Sequence, residues 1–403
     1  MDDSSFCPVC HHSDGNVLIE HRSAVPTLQN TTLPTKEAAL DFPTGSLRMV
    51  RCSACGFVWN ADFDPGLIFY DAGYNNDVST SSFYAKHLEA MAERVIQSVP
   101  RNHPIRYVEI GCGEADFLNL VVQKSGGRCV SAVGFDPSFT GESRLLPGVT
   151  IHKTFFGKEQ LSLVPEGTNV ICSRHTIEHV PDVQGFVGAL ALATKSAERR
   201  LFLETPDADW ILRHVAFQDF FYEHCSLFTP DAMVRLLANH ALTGEVASVY
   251  GGQYMWVEAR RSAENQIESL SSRGDSLALA GHYIEKQTAL IEHWASSVKD
   301  RRTRGPVAIW GGASKGVTFA LLLTRELGCE LDCAIDLNSA KQGRYLPTTG
   351  LPVVAPEEAR GLGVQTVLIM NPNYEDEIRA LAEQMGWYPE FVTLNSVAAG
   401  HSG

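Results

Sequence analysis

The segment Tyr107–Val108–Glu109–Ile110–Gly111–Cys112–Gly113–Glu114–Ala115–Asp116–Phe117–Leu118 constrains the fold of this chain more than any other. An apolar run reads as a strand, passes an acidic residue into two glycines one residue apart, and continues into a helix opening on acidic residues. Glycine has no Cβ and accepts positive φ, so the backbone here can turn sharply and approach a ligand closely. Such a turn builds ligand sites in doubly wound α/β sheets. No third glycine follows Gly113 at the spacing of a dinucleotide fingerprint, and Glu109 suits a cationic ligand better than a pyrophosphate.

The turn resembles the E-x-G-x-G loop of class I S-adenosylmethionine (SAM) methyltransferases, and three later segments resemble that family in order. Val130–Phe135 reads as a second strand ending in Asp136–Pro137, with Asp136 23 residues beyond Gly113. That is close to the spacing at which an acid meets ribose hydroxyls. Thr154–Phe155–Phe156–Gly157 offers aromatic surface where the family places adenine, although a phenylalanine pair also suits a core. Asn169–Cys172 reads as a fourth strand running into Ser173–Arg174–His175–Thr176–Ile177–Glu178–His179–Val180–Pro181–Asp182, similar to the family's motif after strand four. The resemblance implies an α/β, Rossmann-like SAM domain. Its expected cofactor contacts are Glu109, Gly111, Cys112, Gly113, Asp136, Pro137, Phe155, Phe156, Ser173 and His175.

Cys7–Pro8–Val9–Cys10 and Cys52–Ser53–Ala54–Cys55–Gly56 form two C-x-x-C knuckles with 41 residues between them. Paired knuckles suit a tetrahedral Cys₄ zinc site that joins two distant tight turns; a redox pair is the rival reading. With no open position, the zinc would be structural, holding an amino-terminal lobe too small for a core of its own. His11 and His12 are expected in solvent. Cys112, Cys129, Cys172, Cys225, Cys329 and Cys333 are scattered and read as core thiols.

At 403 residues the chain is long enough for two or three domains. A net charge of −14 without a basic block argues against nucleic acid, while leaving room for a nucleotide-linked small molecule. The absence of a long apolar run and the acidic start lead us to expect neither a membrane span nor a signal peptide, hence a cytoplasmic protein. The expected organisation is a zinc lobe over 1–70, a SAM domain over 71–261, a helical linker over 262–304 and a second Rossmann-like domain over 305–403. In that last unit, strand Val307–Trp310 enters the turn Gly311–Gly312–Ala313–Ser314–Lys315–Gly316, and Leu331–Asp336 ends on an acid. The lysine and the glycine spacing point away from NAD and toward a substrate's phosphates, held by Ser314 and Lys315 at a helix N-terminus. A purely structural domain is the alternative.

Taken whole, the chain resembles the bacterial deoxysugar C-methyltransferases, which act at C3 of nucleotide-linked 4-keto sugars. The most specific residues are Phe220–Phe221–Tyr222–Glu223–His224–Cys225–Ser226–Leu227–Phe228, with Glu178–Asp182 and Lys341–Pro347 in support. The resemblance implies His224 as general base, His179 as a second active-site histidine, Tyr74 as donor to an enolate oxygen, and Tyr222, Asn371 and Asn373 among the substrate contacts. Methylating a carbon requires a carbanion, reachable beside a ketone once a base removes the α-proton, and histidine titrates near working pH. Consecutive side chains do not face one another, so Glu223 is expected to shape the site rather than orient His224. Phe221–Tyr222 stands where the family has tyrosine then histidine, and Ser173–Arg174–His175 also departs from it, so the acceptor is open. An O- or N-methyltransferase and an inactive SAM- and zinc-binding interaction protein remain as rivals. Either a monomer or a homodimer is compatible with the sequence.

Overall fold

The structure, a computed structural model, describes residues 6–69, 81–195, 198–262 and 275–394. Three sheets organise it. At the amino terminus β1 (Val17–Pro26), β2 (Thr44–Arg51) and β3 (Val58–Asn60) pair antiparallel. Their fourth strand is Ser226–Leu227, which arrives from far along the chain and pairs with Val58 and Trp59.

The central sheet contains β4 (Ile105–Ile110), β5 (Cys129–Phe135), β6 (Val149–His152), β7 (Val170–Arg174) and β8 (Arg200–Pro206). Counting Ser226–Leu227 as β9, it closes with β10 (Leu242–Val249) and β11 (Tyr254–Arg261). The order is β10-β11-β8-β7-β4-β5-β6, with only β11 antiparallel to its neighbours. The chain leaves β4 toward β5 and returns on the other side at β7, so a topological switch point, where such sheets bind ligands, lies at the carboxyl end of β4. The carboxy-terminal sheet has the analogous order β14-β13-β12-β15-β16, all parallel, from β12 (Val307–Trp310), β13 (Cys333–Ile335), β14 (Val353–Val354), β15 (Thr366–Ile369) and β16 (Glu390–Thr393). Val307–Ala308–Ile309–Trp310 is buried throughout, as an unbroken apolar strand covered on both faces must be.

Local chemistry sets the element boundaries. Ser81 accepts from the Tyr84 amide at 3.1 Å and starts the helix Ser82–Gln97; Thr229 does the same for Ala232, with Pro230 in the first helical turn. The helix Asp275–Arg302 buries Tyr283 and Trp294 in a core shared by β1, the segment around Phe217 and Phe319 of the carboxy-terminal unit. No helix among the described residues is long and apolar enough to cross a membrane.

β1 is absent from the sequence reading for a physical reason. Register shifts between Leu18 and Glu20 and between Arg22 and Val25 break its alternation, and it buries Glu20 and Arg22. That buried pair meets at 2.6 Å, and Arg22 donates to the carbonyls of Phe217 (2.9 Å) and Phe220 (3.1 Å). The Gln29 amide donates to Glu223 Oε1 (2.9 Å), the Asn60 amide to the Cys225 carbonyl (3.0 Å), and the Tyr222 hydroxyl binds the backbone of Asp64. The whole stretch 217–227 is thus mounted on the amino-terminal lobe.

Candidate active site

β4 delivers the glycine turn to the switch point. Gly111, Gly113 and Ala115 all have positive φ, of 70°, 50° and 67°, so the loop makes three left-handed turns with alanine at the third. Its spacing, two beyond Gly113, was the available signal. The two glycines are required for different reasons. A Cβ on Gly111 would sit 1.9 Å from Thr176 Oγ1, whereas one on Gly113 would meet nothing within 4 Å. Valine at Gly111 would therefore report on packing, and Gly113 is the position where backbone stands open to a ligand. Cys112 turns inward instead, against Gly134.

The Gly113 amide donates to Asp136 Oδ2 at 2.8 Å, and Ser138 satisfies the other carboxylate oxygen, so Asp136 is fixed beside the turn with Pro137 exposed after it. Phe156 stands edge-on to Phe135 with ring centroids 5.1 Å apart, while Phe155 is exposed. At the end of β7, Ser173 Oγ, Arg174 Nη2 and His175 Nε2 are buried without a hydrogen-bond partner among the described residues. Buried polar atoms are ordinarily paired, so three orphans beside an open glycine turn fit a polar ligand such as SAM. Arg174 lies over the Phe117 ring at 4.3 Å, and Glu204 binds both Arg174 Nε and His87 Nε2 at 2.5 Å. Burial opposes ionisation of Glu204, but the Arg174 charge and the His87 contact outweigh it and hold the carboxyl well below its usual range. Sequence reasoning missed Arg174 and Glu204; a charge directly after an apolar run, as in Leu201–Phe202–Leu203–Glu204, was the signal.

Glu109 is the reverse case. Burial raises its pKa to about 8, with Arg174 and the Tyr107 hydroxyl working against the rise. A cationic group on a bound ligand would pull the carboxyl into its charged form, so binding releases a proton. SAM affinity is accordingly expected to climb with pH up to about 8 and then level off. Titration calorimetry in buffers of different ionisation enthalpy checks this, and Glu109→Gln should remove the dependence.

His179, Glu223 and His224 come together beyond the end of β7. The imidazoles of His179 and His224 are perpendicular with centroids 4.7 Å apart, and Phe221 lies 4.0 Å from His224. Glu223 faces His179 Nδ1 at 3.7 Å. Burial first, and then electrostatic repulsion from His179, His175 and Lys315, push the His224 pKa well below 6.5. It is therefore neutral at neutral pH and able to accept a proton. The Tyr222 hydroxyl is occupied by Asp64, and Tyr74 lies outside the described residues.

In the carboxy-terminal unit, Gly312 donates to Asp336 Oδ2 at 3.1 Å, repeating the glycine–acid pairing of the central domain. Ser314 opens the helix Ser314–Leu321, and Lys315 reaches out of it to pair with Asp219, its ammonium 5.6 Å from the Trp210 ring centroid. Asn371 and Asn373 hold the two domains together: Asn371 Oδ1 accepts from Gln253 at 2.8 Å, and Asn373 donates to the Tyr250 carbonyl at 2.9 Å.

Cys7, Cys10, Cys52 and Cys55 converge, with Sγ separations of 3.6 Å for Cys7–Cys55 and 3.5 Å for Cys10–Cys52. A tetrahedral zinc with Zn–S bonds of about 2.3 Å needs sulfurs about 3.8 Å apart. The four thiols thus fit that ion, and the Cys55 amide already points at Cys52 Sγ.

Residues 84–244 match a family described as a methyltransferase domain, and residues 259–394 match the C-methyltransferase C-terminal domain. The chain is 25% identical over 399 residues to the C-methyltransferase NovU of Streptomyces niveus, covering 92% of this chain and 90% of that one. Among solved structures, an O-methyltransferase family protein from Burkholderia thailandensis is 15% identical, with a TM-score of 0.35 over 44% of this chain and 57% of that one. A SAM-dependent methyltransferase from Mesorhizobium loti is 13% identical, with a TM-score of 0.33 over 43% of this chain and 100% of that one. A methyltransferase domain whose glycine turn and orphaned polar atoms suit SAM is here followed by the terminal domain of C-methyltransferases, and the chain belongs to the SAM-dependent C-methyltransferase family.

Proposed function

We propose that the acceptor is a carbon beside a ketone, C3 of a nucleotide-linked 4-keto deoxysugar, methylated through an enolate. The observation that carries this reading is the half-buried His224 packed against His179, with Lys315 of the second glycine-turn domain contributing positive charge nearby. SAM, when bound, supplies an electrophilic methyl group. His224 takes the α-proton, and the electron pair left on carbon spreads onto the ketone oxygen. The positive charge of Lys315 favours that developing anion. Glu223, fixed by the Gln29 amide, holds His179 in place rather than the base. Ser314 and Lys315 would hold the substrate's phosphates, Lys315 exchanging Asp219 for them. The zinc would be structural and take no part in the chemistry.

Incubation with ¹³C-methyl SAM and matched 4-keto and 4-hydroxy nucleotide sugars tests the reading. The label is expected on carbon, and with the keto sugar alone. NMR that finds it on oxygen or nitrogen overturns the proposal.

A further inference from the structure

SAM carries a sulfonium, an ammonium and a carboxylate at one end, and the last of these needs a partner of opposite sign. We propose that Arg174 binds this carboxylate through Nη2, taking the glycine turn as the cofactor site.

The order of the central sheet says which end of the ligand reaches Arg174. In the run β8-β7-β4-β5-β6 the glycine turn after β4 is central. Asp136 and Phe156, the residues suited to ribose and adenine, follow β5 and β6. A ligand with its nucleoside on that side, crossing the open position at Gly113, brings its methionine end to β7, where Arg174 is the last residue. Strand pairing sets Glu109 opposite Cys172 and Glu204 opposite Arg174. Side chains alternate along a strand, so Glu109, Arg174 and Glu204 share one face of the sheet.

Arg174 is only 8% exposed, and its guanidinium rests over Phe117 in the first turn of the helix Asp116–Lys124. Its Nε donates to Glu204 at 2.5 Å. Tyr84, on the helix Ser82–Gln97, lies close enough to feel its charge, yet Nη2 has no hydrogen-bond partner among the described residues. A purely structural ion pair accounts for Nε and leaves Nη2 unexplained. A buried donor on a charged group is costly to leave unpaired.

The chemistry of that donor selects its partner. A guanidinium has no acceptor and keeps its proton, so it repels an ammonium or a sulfonium and requires an oxygen or nitrogen acceptor. The ribose and adenine lie toward β5 and β6 in this arrangement, which leaves the carboxylate. The acids around the turn, Glu109, Asp116 and Asp136, interact with one another and suit the ligand's positive groups. The neighbouring orphans do not replace the arginine. Ser173 is neutral, and His175 has Nδ1 facing Glu178 at 3.3 Å and its ring edge-on to Tyr254 at 4.6 Å.

The test is titration calorimetry on the full-length protein with S-adenosylhomocysteine and with its decarboxylated counterpart, which differs only in having hydrogen for the carboxylate. Wild type is expected to prefer S-adenosylhomocysteine by about ten- to hundredfold, the worth of a charge-assisted hydrogen bond. Arg174→Gln should lose most of that preference, weakening S-adenosylhomocysteine while the decarboxylated ligand binds at least as well as before. That substitution strands the buried Glu204, so the double variant Arg174→Gln/Glu204→Gln, neutral at both positions, is measured beside it. A merely structural role would weaken both ligands together and leave their ratio intact. Equal wild-type affinity for the two ligands overturns the proposal without any variant, as does a double variant that keeps the wild-type preference. Asp136→Asn is expected to weaken both ligands alike; if it weakens neither, the reading of the glycine turn as the cofactor site fails instead.

Discussion

His224→Ala is expected to lower turnover by about 10²–10⁴-fold, the usual cost of losing a positioned general base. SAM affinity should change little, because the proposed cofactor contacts, the glycine turn and the Asp136 bonded to it, belong to other stretches of the chain than 217–227. The loss should fall on kcat and kcat/KM together, as for a group acting in the transition state rather than in binding. The pH profile gives a second check. Burial and neighbouring positive charge displace the His224 pKa below 6.5, so the acid limb of kcat/KM should lie below the range of an exposed histidine, with a plateau at neutral pH. An alanine variant with near wild-type turnover would move the base elsewhere. His179 would be the next position to examine, since its ring shares the site.

Removing zinc should have the other large effect. Binding at structural Cys₄-type sites is itself folding free energy, on the order of 10–16 kcal/mol in small zinc peptides near neutral pH. In this chain the lobe also packs on the central domain: Gln184 donates to the Pro8 and Val9 carbonyls, Asn239 to Val9 and Thr229 to Cys55. Part of the lobe's stability therefore survives metal loss. Elemental analysis should find about one zinc per chain. Chelation or Cys52→Ser should lower the melting temperature markedly and abolish methyl transfer, because the base segment hangs from this lobe. A zinc-free protein that melts and turns over like the native one would refute the assignment.

The glycine turn, strands β4, β5 and β7 of the central sheet and the cysteine knuckles were legible because each depends on residues close in sequence. An unbroken apolar run likewise marked the strand Val307–Trp310. What escaped depends on long-range contact. The bulges of β1 hide its alternation, and a two-residue strand such as Ser226–Leu227 has no pattern at all until its partner is known. Within the site, the histidines could be named from their neighbours. Their division of carboxylates could not, because Glu178 and Glu223 select their histidines through the packing of separate loops. Arg174 and Glu204 sit on adjacent strands whose pairing brings them face to face. In Asn371 and Asn373 the sequence shows only an amide-rich loop, and the domain contact that occupies them is a property of the fold.

The strand Ser226–Leu227 also decides how this enzyme can be recombined. A cut near residue 70, chosen by reading along the chain, would part the lobe from the stretch 217–227 that it holds through Arg22, Gln29, Asn60 and Asp64. A foreign lobe grafted there would have to find its fourth strand in a sequence selected to fit another surface. The heritable module is discontinuous: two pieces of chain, far apart in number, that have to be exchanged together.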